Sequence, residues 1–146
     1  MMINRRARHD YHILDTFEAG MVLRGPEVKS LRQNRVSFTD SYARVRDGEV
    51  YVYNLHIAPY DHTTSQDVDS KRERKLLLHR REIRSLTGTL AQKGLTLIPL
   101  RIYFRRGKAK LELGLARGKH LYDKRQKLKE RIVRRQIDRA MKGERV

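Results

Sequence analysis

The sequence predicts a mainly β protein: a six-stranded antiparallel barrel with about three short helices, followed by a basic C-terminal tail. Three observations predict it. Asp47-Gly48 separates two β-rich runs, as in a hairpin turn. Leu111, Leu113 and Leu115 alternate with other residues, which is the period of a strand. The last 28 residues are strongly basic and lack this alternation.

The first predicted hairpin joins Ser41–Arg46 to Glu49–Asn54 through Asp47-Gly48. This pair suits a tight turn because both turn positions require a positive φ. Two shorter strands, Tyr11–Phe17 and Gly20–Arg24, are predicted before it.

The second hairpin joins Leu95–Phe104 to Lys108–Ala116 through a turn at residues 105–107. Pro99 lies inside its first strand and has no N–H to donate, so we expect it at an edge or a bulge. The polar segment Tyr60–Arg74 lacks periodicity and is predicted as a loop. Closing six short strands into a barrel would remove exposed edges.

Few helices are predicted in the body. Pro26 fits the first turn of a helix over Pro26–Gln33. A second helix is expected from Arg80–Leu86 into Thr87–Lys93, with a break at Gly88 and an end before residue 94.

The charge distribution divides the chain into a body, residues 1–118, and a tail, residues 119–146. The tail has 11 Lys and Arg residues against 4 Asp and Glu. Asp123–Met141 can form a helix with only a narrow apolar stripe. We expect it to be disordered when free and to fold as a helix against a polyanion, since that stripe offsets little ordering entropy.

Composition restricts the class of protein. The net charge of +17 favours a polyanionic partner, and 23 of the 34 basic residues are Arg, which forms bidentate phosphate contacts. There is no cysteine, which suits a reducing cytoplasm. The longest run without a charged residue, Val50–Tyr60, is too short to cross a membrane. Met1 and the basic residues that follow do not form a secretory signal.

No cofactor, metal site or small-molecule substrate is predicted. The six histidines lack zinc-site spacing, and there is no phosphate-binding glycine loop. His9, Asp10 and His12 could form the acid–base set of a metal-free nuclease, but they also fit a polar strand start. We therefore predict a binding protein, not an enzyme.

Several stretches, in order, closely resemble the SmpB family, the protein partners of transfer-messenger RNA (SsrA RNA). The resemblance covers essentially the whole chain. The matching stretches are Asn4–Tyr11, Phe17–Gly20, Glu27–Arg32, Asp40–Ala43, Arg74–His79, Ala116–Lys119 and Tyr122–Arg125.

The resemblance implies a six-stranded barrel partly similar to an OB fold, with three helices. It also implies that the chain binds the tRNA-like domain of transfer-messenger RNA and delivers it to stalled ribosomes in trans-translation. The body would stand in place of a tRNA anticodon arm. The tail would contact small-subunit rRNA, reaching from the decoding centre into the empty mRNA channel and folding there as a helix.

The resemblance, together with the basic clusters and the charge of the tail, gives the expected contact residues. The expected RNA-binding residues are Asn4, Arg5, Arg6, Arg8, His9, Glu18, Lys75, Leu77, Lys108, Lys110 and Arg117 in the body and Lys119 at the start of the tail. The other expected contact residues of the tail are Tyr122, Lys124, Arg125, Lys127, Lys129, Arg131, Arg134, Arg135 and Arg139. Leu77 fits either the core or an apolar platform for a base. Asn34 replaces a helix-ending glycine, and His120 replaces a common lysine.

Two other functions stay open at this point: a structural ribosomal or ribosome-assembly protein, and the nuclease. We expect a cytoplasmic monomer.

Overall fold

A closed ring of strands forms the body. The computed structural model describes residues 1–59, 69–92 and 94–118, so most of the predicted loop and the whole predicted tail lie outside the described residues. The elements are β1 (Met2–Ile3), α1 (Ala7–Asp10), β2 (Tyr11–Met21), α2 (Gly25–Arg32), β3 (Val36–Ser37), β4 (Tyr42–Arg46), β5 (Glu49–Tyr53), β6 (His56–Ile57), β7 (Arg74–Leu77), α3 (Arg80–Leu90), β8 (Leu95–Arg105) and β9 (Lys108–Gly118).

Six strands close the ring in the order β8-β4-β5-β7-β2-β9, and all neighbours are antiparallel. β1 extends the sheet beside β8, and β3 and β6 form a separate two-stranded ribbon. This architecture, with three helices in the described part of the chain, confirms the predicted fold class. None of the described helices is long and apolar enough to cross a membrane.

The number of ring strands was predicted correctly, but two assignments were wrong. The strands expected at Tyr11–Phe17 and Gly20–Arg24 are one continuous strand, β2, paired along most of its length with β9. The sixth ring strand is β7, whose first residue, Arg74, was assigned to the loop. β7 has only four residues, two of them charged, so it shows no clear alternation.

The helices follow the sequence with one correction. α2 has Pro26 in its first turn and is followed by Asn34 at φ 57°, which fits the expected left-handed helix end. α3 does not break at Gly88 and ends at Leu90. Gly88 is exposed on α3, while Ile83 and Leu86 bury the opposite side against the barrel, so packing maintains the helix through the glycine.

A bulge in β8 sets the register of the second hairpin, as expected for Pro99. Pro99 pairs with Leu113 whereas Arg101 pairs with Glu112, so the residue between them is extra. The extra residue lets Leu97 and Ile102, an odd number of positions apart, both point into the core.

A buried ion pair joins α2 to β7. Arg74 Nε lies 2.6 Å from Glu27 Oε2, and the Arg74 side chain is completely buried. The same guanidinium donates to the carbonyls of Leu55 at 2.6 Å and Ser70 at 3.0 Å. Glu27 also accepts hydrogen bonds from Arg72 and, at 2.8 Å, from the Arg24 N–H. One carboxylate and one guanidinium thus hold four segments together.

The surroundings of the pair determine its protonation. Burial raises the pKa of Glu27, but hydrogen bonds from Arg72, from the Arg24 N–H and from Arg74 outweigh it and hold the pKa below its ordinary value. Burial lowers the pKa of Arg74 while Glu27 raises it, and the net shift is downward. The depressed Glu27 pKa means that its carboxylate stabilises the fold above the unfolded-state pKa, and that this contribution is lost as pH falls through the folded-state pKa.

Removing the carboxylate should destabilise the fold strongly, because Arg74 would remain buried without a counter-charge. We expect Glu27→Gln to lower the free energy of unfolding by about 3–5 kcal/mol, measured by urea denaturation. The matched control is Glu73→Gln, which removes a carboxylate bonded to Arg46 at a site where both side chains are 44–46% exposed. Its expected cost is at most about 1 kcal/mol.

The free energy of unfolding of the wild type should also decline as pH falls below 4.5, because the Glu27 carboxylate becomes protonated. The Glu27→Gln variant should lack the part of this decline that Glu27 causes. Equal losses from the two substitutions would contradict the central role of the pair.

Candidate nucleic-acid interface

Four of the expected contact residues lie together on the outer face of the barrel. They are Glu18 on β2, Lys75 and Leu77 on β7, and Lys110 on β9, and we call them the barrel-face group. The sheet register brings them together, because Gly20 pairs with Leu77 on one side and with Lys110 on the other. Glu18 lies two residues from Gly20 on the same strand and therefore on the same face.

The register extends this face onto β8. Lys110 pairs with Tyr103, so Leu77, Gly20, Lys110 and Tyr103 form one row across four strands. The next row contains Glu18, Glu112 and Arg101. The two rows lie about 7 Å apart, two residues along each strand.

Leu77 is not a core residue. It is 53% exposed, and its side chain lies against Gly20, where an added Cβ would come within 3.4 Å of the Leu77 Cβ. The structure therefore favours the apolar surface platform over the core for this residue.

Tyr103 and Arg105 hold the carboxylate of Glu18. The Tyr103 hydroxyl donates a hydrogen bond to Glu18, and Arg105 Nη1 lies 3.1 Å from Glu18 Oε2. The Tyr103 hydrogen bond is the main cause that lowers the pKa of Glu18, with Arg105 adding to it against partial burial. Burial, then the bond to Glu18, raises the pKa of Tyr103. Glu18 thus stays an ionised acceptor in a basic surface.

Five other expected contact residues lie around α1. We call Asn4, Arg5, Arg6, Arg8 and His9 the N-terminal group: the first three lie in the turn between β1 and α1, and the last two lie on α1. Every member except Asn4 is exposed.

Two contacts fix the position of the N-terminal group. The Asn4 side chain donates to the Pro99 carbonyl and its N–H to the Leu100 carbonyl, both at 2.8 Å, which fastens the group to the β8 bulge. His9 Nδ1 lies 2.9 Å from Asp10 Oδ1, and the His9 side chain is 86% exposed. The imidazole is therefore accessible for stacking.

Two further residues complete the described set. Lys108 is exposed opposite Arg105, at the turn of the second hairpin. Arg117 is exposed opposite His12, at the α1 end of β9. Lys119 and the nine other expected contact residues of the tail lie outside the described residues. In the described segments, no group of three or more His, Cys, Asp or Glu side chains could hold a metal ion.

The expected contact residues do not include Tyr103, Arg101 or Glu112, although Tyr103 is one of several strand tyrosines that could stack on a base. A signal for Tyr103 existed, because a two-residue turn at Arg106-Gly107 pairs Arg105 with Lys108 and hence Tyr103 with Lys110. The contacts of Tyr103 and Arg105 with Glu18 join residues more than 80 positions apart, and no local pattern predicts them.

Comparisons with known proteins identify the family. The sequence profile of the family described as "SmpB protein" matches residues 1–143. The SsrA-binding protein of Thermus thermophilus is 59% identical over 136 residues, covering 92% of this chain and 94% of that protein. The SsrA-binding protein of Pelotomaculum thermopropionicum is 55% identical over 139 residues, covering 95% and 91% respectively.

A solved structure supports the same family assignment. One of its chains is 61% identical in sequence to this chain and superposes with a TM-score of 0.69. The match covers 80% of this chain and 82% of that chain. That structure is described as "tmRNA-SmpB: a journey to the center of the bacterial ribosome".

Tyr103→Phe should raise the pKa of Glu18 towards its ordinary value, because the largest stabilising contact of the carboxylate is removed. Arg105→Ala should raise it less, since the Arg105 charge has a smaller effect. An NMR pH titration of the Glu18 carboxyl carbon measures both. A larger shift with Arg105→Ala than with Tyr103→Phe would show that the hydroxyl does not hold the carboxylate.

Proposed function

The chain belongs to the SmpB protein family, and we propose that it is an RNA-binding adaptor of trans-translation. In this role it binds the tRNA-like domain of transfer-messenger RNA and delivers that RNA to stalled ribosomes. The observation that carries the proposal is the family match over nearly the whole chain. The named activity of the relatives, binding of SsrA RNA, and the ribosomal context of the similar solved structure both agree with it.

The barrel-face group has the chemistry to recognise folded RNA. Lys110 supplies charge for a backbone phosphate. The Glu18 carboxylate can accept from a 2′-hydroxyl or an exocyclic amine, and Tyr103 and Arg105 keep it ionised and oriented. Leu77 offers a small apolar surface against which a base can lie. A surface with both donors and acceptors suits a structured RNA more than a generic phosphate chain.

The N-terminal group and the tail serve the ribosome in this proposal. His9 is exposed and can stack on bases of the decoding centre. The tail, residues 119–146, carries the highest density of positive charge and would follow the mRNA channel once that channel is empty. The body then takes the place of the anticodon arm of a tRNA.

Binding, not catalysis, accounts for these features. We propose that the chain is not an enzyme and that it acts in the cytoplasm, where stalled ribosomes occur. The family match favours an adaptor over a structural ribosomal or assembly protein. An adaptor should be substoichiometric to ribosomes and should travel with transfer-messenger RNA.

A binding titration at about 0.15 M salt tests the proposal, because salt weakens non-specific phosphate contacts. The tRNA-like domain of transfer-messenger RNA is compared with an ordinary tRNA of similar size. We expect a preference of a hundredfold or more, about 2.7 kcal/mol. Lys110→Ala should lose much of the affinity, whereas Lys71→Ala, an exposed lysine on the turn before β7, should not. Equal and steeply salt-dependent binding to both RNAs would instead support a generic basic protein.

Truncation after Lys119 separates the two proposed regions. The shortened chain should bind the tRNA-like domain nearly as well as the full chain, since the barrel-face group is intact. It should fail to support tagging of stalled chains in a translation assay, because nothing would occupy the mRNA channel. Loss of most RNA affinity on truncation would contradict this division.

A further inference from the structure

A cleft of about 600 Å³ lies between the barrel-face group and the N-terminal group. Its lining includes Asn4, Arg5 and Arg8 of the N-terminal group, together with Arg101 on β8 and Glu112 on β9. Arg101 and Glu112 belong to the same row as Glu18, so the cleft begins where the barrel-face group ends. An RNA that covers both groups must cross it.

Arg101 is held in one orientation before any ligand binds. Its Nε and Nη2 atoms both lie 2.9 Å from Glu112 Oε2. Its guanidinium also lies 4.9 Å from the centre of the Tyr103 ring. A side chain fixed on two sides loses less conformational entropy when it binds, because it is already ordered.

One end of the Arg101 guanidinium faces a weak acceptor. Nη1 lies 3.7 Å from the Met1 sulfur, which also lines the cleft. A thioether accepts hydrogen bonds poorly, so a stronger acceptor would displace it readily. A phosphate oxygen is such an acceptor, and Arg donates to phosphate more strongly than to a neutral group.

The charge of the cleft favours an anion. Its lining includes three guanidinium groups, those of Arg5, Arg8 and Arg101, against one carboxylate, that of Glu112. Arg101 and Glu112 form a pair that is neutral overall, so Arg5 and Arg8 supply the excess positive charge. Among the described residues, the lining contains no aromatic side chain on which a base could stack. Positive charge without a stacking surface indicates a backbone phosphate, not a base.

We propose that this cleft is a phosphate-binding subsite for a folded RNA, with Arg101 as its ordered donor and Arg5 and Arg8 as further cations in its lining. The inference rests on the proposed function, because it assumes that the barrel face binds RNA. It assigns a contact to a part of β8 that the family motifs did not mark.

The test is a salt series of binding titrations with the wild type, Arg101→Ala and Arg101→Lys, each against the tRNA-like domain and an ordinary tRNA. The matched control is Arg44→Ala, an exposed strand arginine outside the cleft.

We expect Arg101→Ala to weaken binding about tenfold. We expect the salt dependence of the binding constant to fall by about 0.7–0.9, the change for one phosphate contact. Arg101→Lys should keep the slope but not the full affinity, since an ammonium cannot bind Glu112 and a phosphate in the same geometry. A slope for Arg101→Ala equal to those of the wild type and of Arg44→Ala would overturn the proposal.

Phosphate ethylation locates the contact on the RNA, because an ethylated phosphate has lost its charge. One ethylation position that weakens binding to the wild type should no longer do so with Arg101→Ala, since that contact is already absent. Identical interference patterns would overturn the proposal even if Arg101→Ala bound more weakly, because the effect would then be structural. Both RNAs are titrated, so the subsite is tested even if the preference for the tRNA-like domain fails. That failure would count against the proposed function alone.

Discussion

The barrel closes through its shortest ring strand, and a buried ion pair holds that strand in place. β7 has four residues, and the first, Arg74, points inward with a charge that would be costly to bury alone. Glu27 on α2 supplies the counter-charge, and the Arg74 guanidinium also donates hydrogen bonds to the carbonyls of Leu55, Ser70 and Arg72. Glu27, which belongs to a family motif on α2, therefore stabilises a barrel strand through Arg74, a residue 47 positions later in the chain.

The outer face of the barrel depends on the same contact. Arg74 and Leu76 point inward, so Lys75 and Leu77 must point outward. Pairing of β7 with β2 then places Leu77 beside Gly20, in the row that continues through Lys110 to Tyr103. If β7 shifted by one residue, Leu77 would enter the core and the charged side chains would exchange faces. The ion pair thus fixes a register as much as it stabilises a fold, because only one register brings Arg74 to Glu27.

Features that depend on neighbouring residues could be predicted from the sequence, whereas features that depend on distant contacts could not. Both hairpins, the Pro99 bulge and the left-handed Asn34 were predicted because turn chemistry and alternation are local signals. β7 and the continuity of β2 were missed, since each depends on a distant partner strand. The family motifs marked Glu18, Leu77 and Lys110, and the fold brings them together. Arg101 could not be selected, because its importance arises only when β1, β8 and β9 are side by side.

The acidic residues on this basic face have an explanation in the same geometry. Unpaired carboxylates would repel RNA, yet Glu18 and Glu112 lie in the middle of the surface. Each is bonded to an arginine, and the arginines in turn lie near the Tyr103 ring. The carboxylates thus hold guanidinium groups and a phenol in fixed positions, at the cost of some net charge. Such a surface attracts RNA less strongly through net charge, but its hydrogen-bond donors and acceptors have defined positions. Defined positions are required to discriminate between one folded RNA and another.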